Sequence, residues 1–357
     1  MSDTEAAVPP PLPPRIPPLP AAPEPLLPFR NLAPLIAGAA TGLVLRLLFM
    51  GSPGEPYETM LLSFIYLAPA IVGMVTVYVA EKQERRSWGY YVAASAFANL
   101  LFILGSLMIL VEGLICAILI VPLFIIPGIV GGLLMGGICR MTNWPNGALG
   151  SFAVLPLLLG AIEPRDALPD HREQVVRSVL VAAPPEAVWR EIWNVRDVQP
   201  AEVADGWIYR IGVPMPLAGV TRETPDGFVR DVTMGKDIHF EQLVTSYEPG
   251  HFVDYRYRFA PDSFPPGALD DHVTIGGRYF DLMTTRYALE PVDGGTRVTA
   301  TMGYRVSTRF NWYAVPLARA LLGDTEETLL KLYRNRAEAR SVGATLVATG
   351  VASTSVH

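Results

Sequence analysis

Cysteine, charge and basic blocks are scarce in this sequence. Cysteine occurs twice in 357 residues, at Cys116 and Cys139, both inside apolar stretches. Two such residues build no CxxC, no Cys/His cluster and no disulfide framework. Only 17% of residues are charged and 50% are hydrophobic, against roughly 25% charged in an ordinary soluble protein. With a mean hydropathy of +0.31, part of the chain belongs in lipid. There is no block of basic residues, and the net charge is −6. Both argue against a nucleic-acid partner. The chain also lacks a nucleophile elbow, a P-loop, a dinucleotide fingerprint and a paired catalytic carboxylate motif. No cofactor and no metal is expected.

What charge there is lies unevenly. Residues 1–162 carry 7 Lys+Arg and 8 Asp+Glu, and residues 163–357 carry the remaining 21 and 26. The first half is charge-poor; the second is an ordinary, mildly acidic soluble domain. Before both comes a tail, residues 1–31, with eleven prolines in its first 28 positions. Proline fixes φ and removes a donor, so this tail is expected to be extended and disordered. It lacks the basic and apolar regions of a signal peptide. Its PxxP spacing fits a ligand for a partner domain as well as an inert tail.

Residues 32–162 form the expected transmembrane region. Stretches 32–50, 59–80, 88–111 and 114–139 are apolar, with Arg46 the one charge inside them. A span needs about 20 such residues. Glu112-Gly113 breaks the run 88–139 into two helices. Residues 141–162 are uncharged but weaker, and read as a fifth span or as a re-entrant segment. The loop 81–87 holds Lys82, Arg85 and Arg86, whereas 51–58 holds only Glu55 and Glu58. By the positive-inside rule 81–87 is cytoplasmic. Four spans then return the chain to the cytoplasm, and the expectation is a multi-pass inner-membrane protein with a cytoplasmic soluble domain. Arg46, near a helix end, is expected to snorkel. Gly128, Gly132 and Gly136 share one helix face, which suits packing inside the bundle or a homo-oligomer seam.

In the second half, period-two alternation predicts strands at 174–182, 228–234, 238–247, 251–259, 271–275, 279–290 and 296–307. A helix opens at Pro184-Pro185, with Glu186 in its first turn. A long helix follows from about Asn311 to Arg340, and residues 343–357 read as a flexible tail. Strand, short helix, antiparallel strands and a final long helix describe an α+β domain over 170–342.

The segment RSVLVAAPPEAVWREIWNV resembles the opening of the SRPBCC superfamily, the helix-grip fold of START domains, birch-pollen allergens and polyketide cyclases. The EPG turn, the DGGTRVTA strand and the final amphipathic helix agree with it. VTSYEPG, DDHVTIGGRYFD and STRFNWYA are similar to a bacterial membrane-anchored group of that superfamily. The resemblance implies a curved antiparallel sheet around a long C-terminal helix, with a cavity between them for a hydrophobic ligand.

Parity then nominates the pocket. Tyr255 and Tyr257, then Tyr279, Asp281, Met283 and Tyr287, then Met302 and Tyr304 are expected on inner strand faces. A filled core with no cavity is the alternative. Asp281 among tyrosines is a candidate acid or base, or a structural partner of Arg278 or Arg286. His239 and Glu241 face one way on a strand, as an acid–base pair or half a metal site completed by His272 or Asp271. The spacing is generic. The functional expectation is a membrane-anchored binder of a hydrophobic small molecule or lipid. A cyclase/aromatase-type enzyme and a ligand-free membrane adaptor are the alternatives.

Overall fold

The computed structural model describes residues 32–142, 147–165, 168–269 and 274–353. The proline-rich tail, Asp271 and His272 lie outside them, as does most of the expected strand 271–275; Ile275 makes an isolated bridge to Phe280.

The apolar half forms α1 (Leu32–Leu48), α2 (Ala68–Gln83, entered through a π-helical turn at Ser63–Leu67), α3 (Trp88–Met108), α4 (Leu114–Met141) and α5 (Gly147–Ile162). Ser63–Gln83, Trp88–Met108 and Leu114–Met141 are long and apolar enough to cross a bilayer; α1, at 17 residues, is shorter. So three of the four expected spans have full length. The glycine stripe of α4 is used inside the bundle. A Cβ at Gly128 would run into Asn99, one at Gly132 into Ser95, and one at Gly136 into the Tyr91 ring. Of the two readings of this stripe, packing inside the bundle is the one these contacts match. Arg46 does not snorkel. It is buried, pairs with Glu112 at 2.6 Å and donates to the Phe49 and Val111 carbonyls. These bonds pin the end of α1 to the α3–α4 turn, where a buried cation requires such partners.

Helix α5 decides where the second half sits. At one end of the bundle, Arg140 donates to the Arg86 carbonyl (2.7 Å) and to the Tyr91 hydroxyl (3.1 Å). The chain leaves that end, and at the other Glu163 accepts from the amides of Leu62 (2.8 Å) and Ser63 (3.0 Å). The α5 segment thus runs back along the bundle. The second half emerges beside loop 51–58, where the Tyr279 hydroxyl donates to Glu58, and opposite loop 81–87. The segment read as a fifth span or a re-entrant segment is thus a 16-residue helix, α5.

The second half is one antiparallel sheet in the order β1-β8-β7-β6-β5-β4-β3-β2. Its strands are β1 (Asp170–Val181), β2 (Asn194–Val195), β3 (Pro216–Thr224), β4 (Gly227–Met234), β5 (His239–Glu248), β6 (Phe252–Arg258), β7 (Phe280–Val292) and β8 (Gly295–Ser307). Short helices α6 (Pro185–Trp193), α7 (Pro200–Val203) and α8 (Trp207–Arg210) separate β1 from β3, and α9 (Asn311–Ser353) packs against the sheet. This is the helix-grip architecture that the resemblance implied. Helix α9 runs on through 343, where a tail was expected. On β8, Val298, Ala300, Met302, Tyr304 and Val306 are all buried, as alternation requires when one face has a cover.

The halves are fastened together. Trp312 donates to the Tyr66 hydroxyl at 2.9 Å, and the Tyr313 and Tyr279 hydroxyls donate to the Leu119 carbonyl and to Glu58. Phe310 belongs to the apolar core of the bundle.

Candidate functional site

A cavity of about 390 Å³ lies between the sheet and α9. Phe280, Leu282, Met302 and Val306 form its sheet wall, and Ala314, Ala318 and Leu321 its helix wall. Its third wall comes from the apolar bundle: Cys116, Leu119, Ile120 and Leu123 of α4. Tyr313 and Tyr333 both line it, and the 20 residues between them on α9 correspond to about 30 Å. The cavity is therefore long, with one end against the bundle and the far end inside the sheet.

The far end is polar. Arg230 on β4 is 4% exposed and lines the cavity with Val232 and Met234. Its guanidinium donates to Gln242 and to the Tyr333 hydroxyl, both at 3.1 Å, and lies 5.6 Å from the centre of the Tyr255 ring. Room for it comes from Gly219, where a Cβ would fall 2.5–2.7 Å from the guanidinium. Tyr257 and Thr285 share a hydrogen bond of 2.8 Å. Glu326 of α9 is fully buried, and neither of its carboxylate oxygens has a partner. Burial pushes that carboxyl up to about 8, with Arg230 pulling it back. Burial also pushes the Tyr255 hydroxyl up to about 12, against the pull of Arg230, and raises those of Tyr209 and Tyr257. The far end thus sets one cation, Arg230, among tyrosine hydroxyls and a carboxyl, all raised by burial.

Tyr257, Tyr279, Tyr287 and Met302 line the cavity. Tyr255 and Tyr304 are fully buried behind it, and the Tyr304 hydroxyl donates to Glu173 at 2.7 Å. Asp281 and Met283 are displaced from the expected face. The β7–β8 register shifts between Leu282 and Thr284, so Met283 is an extra residue and the inner face switches from even to odd numbers. Phe280 and Leu282 point in on one side of the bulge, Tyr287 and Leu289 on the other. Asp281 stands opposite Arg305 in register, away from the cavity. Partial burial raises its carboxyl and Arg305 lowers it.

His239 and Glu241 do not form a site. Glu241 pairs with Arg222 (2.8 Å) and Arg258 (2.5 Å), while His239 is exposed, 3.6 Å from Asp262. No group of three or more His, Cys, Asp and Glu able to hold a metal exists among the described residues.

Sequence reasoning missed Arg230, Gln242, Tyr333 and Glu326. The signals were present. In FVRDVTM the residues sharing a face with Arg230 are Phe228, Val232 and Met234. Glu326 shares a helical stripe with Leu322, Leu329 and Tyr333.

No family model and no curated protein matches the chain. Solved structures similar to it include the Zhui aromatase/cyclase from Streptomyces sp. R1128, with 17% identity over 48% of this chain and 96% of that one (TM-score 0.30). Ara h 8.0201 shares 15% identity over 48% and 99% (TM-score 0.29). A protein of Thermus thermophilus shares 18% over 47% and 99% (TM-score 0.31). The fold assignment rests on the strand order and the long helix described above.

Proposed function

We propose that the protein is a membrane-anchored receptor for a hydrophobic, lipid-like molecule, which it takes from the bilayer into the cavity of its helix-grip domain. The observation that carries this reading is the shared wall: α4 supplies apolar side chains to the same cavity as the sheet and α9. A molecule of low water solubility partitions into lipid, and a cavity walled by a membrane helix meets it there at high effective concentration. Each methylene that moves from water into such a cavity contributes about 0.8 kcal/mol.

The basic loop 81–87 favours the cytoplasmic side. The helix-grip domain, at the opposite end of the bundle, then lies on the extracytoplasmic face. The binding reading is preferred to a cyclase because Asp281, His239 and Glu241 are turned away from the cavity. Among the described residues, Arg230 is the one charged side chain on its wall.

The test is organic extraction of the full chain purified in mild detergent, followed by mass spectrometry. One apolar compound at near-equimolar amount is expected, and it should be lost when Ala318→Trp fills the cavity. Equal recovery of bulk lipid from both proteins would contradict the reading.

A further inference from the structure

The far end of the cavity contains a charge with no counter-charge. Arg230 is buried, and among the described residues no carboxylate lies within ion-pair distance of it. Its Nε–H has no hydrogen-bond partner. Gln242 and Tyr333 satisfy one donor each on the two terminal nitrogens. A buried cation is costly unless paired, and an unsatisfied buried donor adds to that cost. The nearby acid, Glu326, makes no hydrogen bond to it, and burial raises its carboxyl against the pull of Arg230.

We infer that Arg230 binds the carboxylate of a single-chain, singly charged amphiphile, a long-chain fatty acid in chemical class, with the chain lying along α9 toward α4. The inference rests on the binding reading above for an occupied cavity and adds the identity of the head. One guanidinium matches one negative charge, and its planar fork suits a carboxylate. A phosphomonoester brings about −1.5 to −2 charges, more than this site neutralises. The volume, about 390 Å³, is near the low end for small-molecule sites. It suits one chain, whereas a diacyl lipid needs several times more. The polar end is deepest and the apolar end faces the bundle, so the head leads and the tail stays toward the membrane.

The experiment uses delipidated full-chain protein in detergent, with native mass spectrometry counting bound oleate, oleyl alcohol and dioleoyl phosphatidic acid. Oleate should bind one to one and at least tenfold tighter than oleyl alcohol. Arg230→Met should remove that preference and leave alcohol binding in place. Gly219→Ala, which crowds the guanidinium, should weaken oleate binding in the same direction, so the inference stays testable if the methionine variant fails to fold. Equal binding of acid and alcohol, with no effect of either substitution, overturns the carboxylate site and leaves the receptor reading standing. Preference for phosphatidic acid overturns it in favour of a phosphate head. Failure of all three probes overturns both readings.

Discussion

The Tyr279 hydroxyl donates to the Glu58 carboxylate across 221 residues of sequence, and the pair joins the sheet to the turn between α1 and α2. Glu58 also accepts from the Gly54 amide, and Tyr279 lines the cavity. A side chain of the cavity wall is thus also a fastener between the two halves.

Tyr279→Phe should therefore loosen the seam without emptying the core, because the ring remains. A hydrogen bond to a charged group contributes about 1.5–3 kcal/mol. The variant should melt several degrees lower and be cut faster by protease. An unchanged melting temperature and cleavage rate would show that the halves are held together elsewhere.

The position of α5 predicts the side of the membrane. In a background without Cys116 and Cys139, Asp226→Cys lies in an exposed turn of the helix-grip domain, and Arg85→Cys lies in the basic loop. A membrane-impermeant maleimide should label the first in intact cells, and the second only after permeabilisation. The reverse pattern would place the helix-grip domain in the cytoplasm and contradict the reading of α5.

Glu326 makes stability depend on pH. Its carboxyl moves from 4.5 to about 8 on folding, so the unfolded chain ionises first. Stability falls as pH rises from about 4.5 to 8 and is level beyond. Glu326→Gln removes that loss. The variant should match the parent near pH 4 and be more stable at pH 8 by several kcal/mol, read as a higher melting temperature. A lower melting temperature at pH 8 would instead identify Glu326 as the ionised partner of Arg230.

Gly132→Leu should disrupt the bundle, because its side chain meets Ser95 and Val77. The expected result is poor recovery of folded protein at every concentration. A well-folded variant that had only lost self-association would restore the oligomer seam.

The helix-grip fold was legible because alternation on β6 and β8 is regular and the terminal helix is long. Two errors came from features that period-two parity cannot carry. The bulge at Met283 shifts the face of β7 by one residue, which moved Asp281 out of the cavity and brought Phe280 and Leu282 in. The two-residue β2 and the nine-residue β3 went unread because Pro216 and Gly219 break the usual strand composition, yet Gly219 is what admits Arg230. The path of α5 stayed open because Pro156, Ser151 and several glycines interrupt an otherwise apolar segment, so length and composition left a span and a re-entrant helix equally open. Arg230 and Glu326 were overlooked because a charge inside an apolar face reads as a surface residue until the face is known to be closed.

The central claim is that one cavity, shared by α4 and the sheet, holds a molecule drawn from the bilayer. A fatty acid with a diazirine in its chain, irradiated in membranes containing the full chain, tests it most directly. The account predicts cross-links on the cavity side of α4, between Ile115 and Leu123, together with cross-links on β7 and β8 from Phe280 to Val306. Cross-links confined to the outward side chains of α4 that are exposed, such as Ile126, Val130 and Leu134, with none on the sheet, would contradict it.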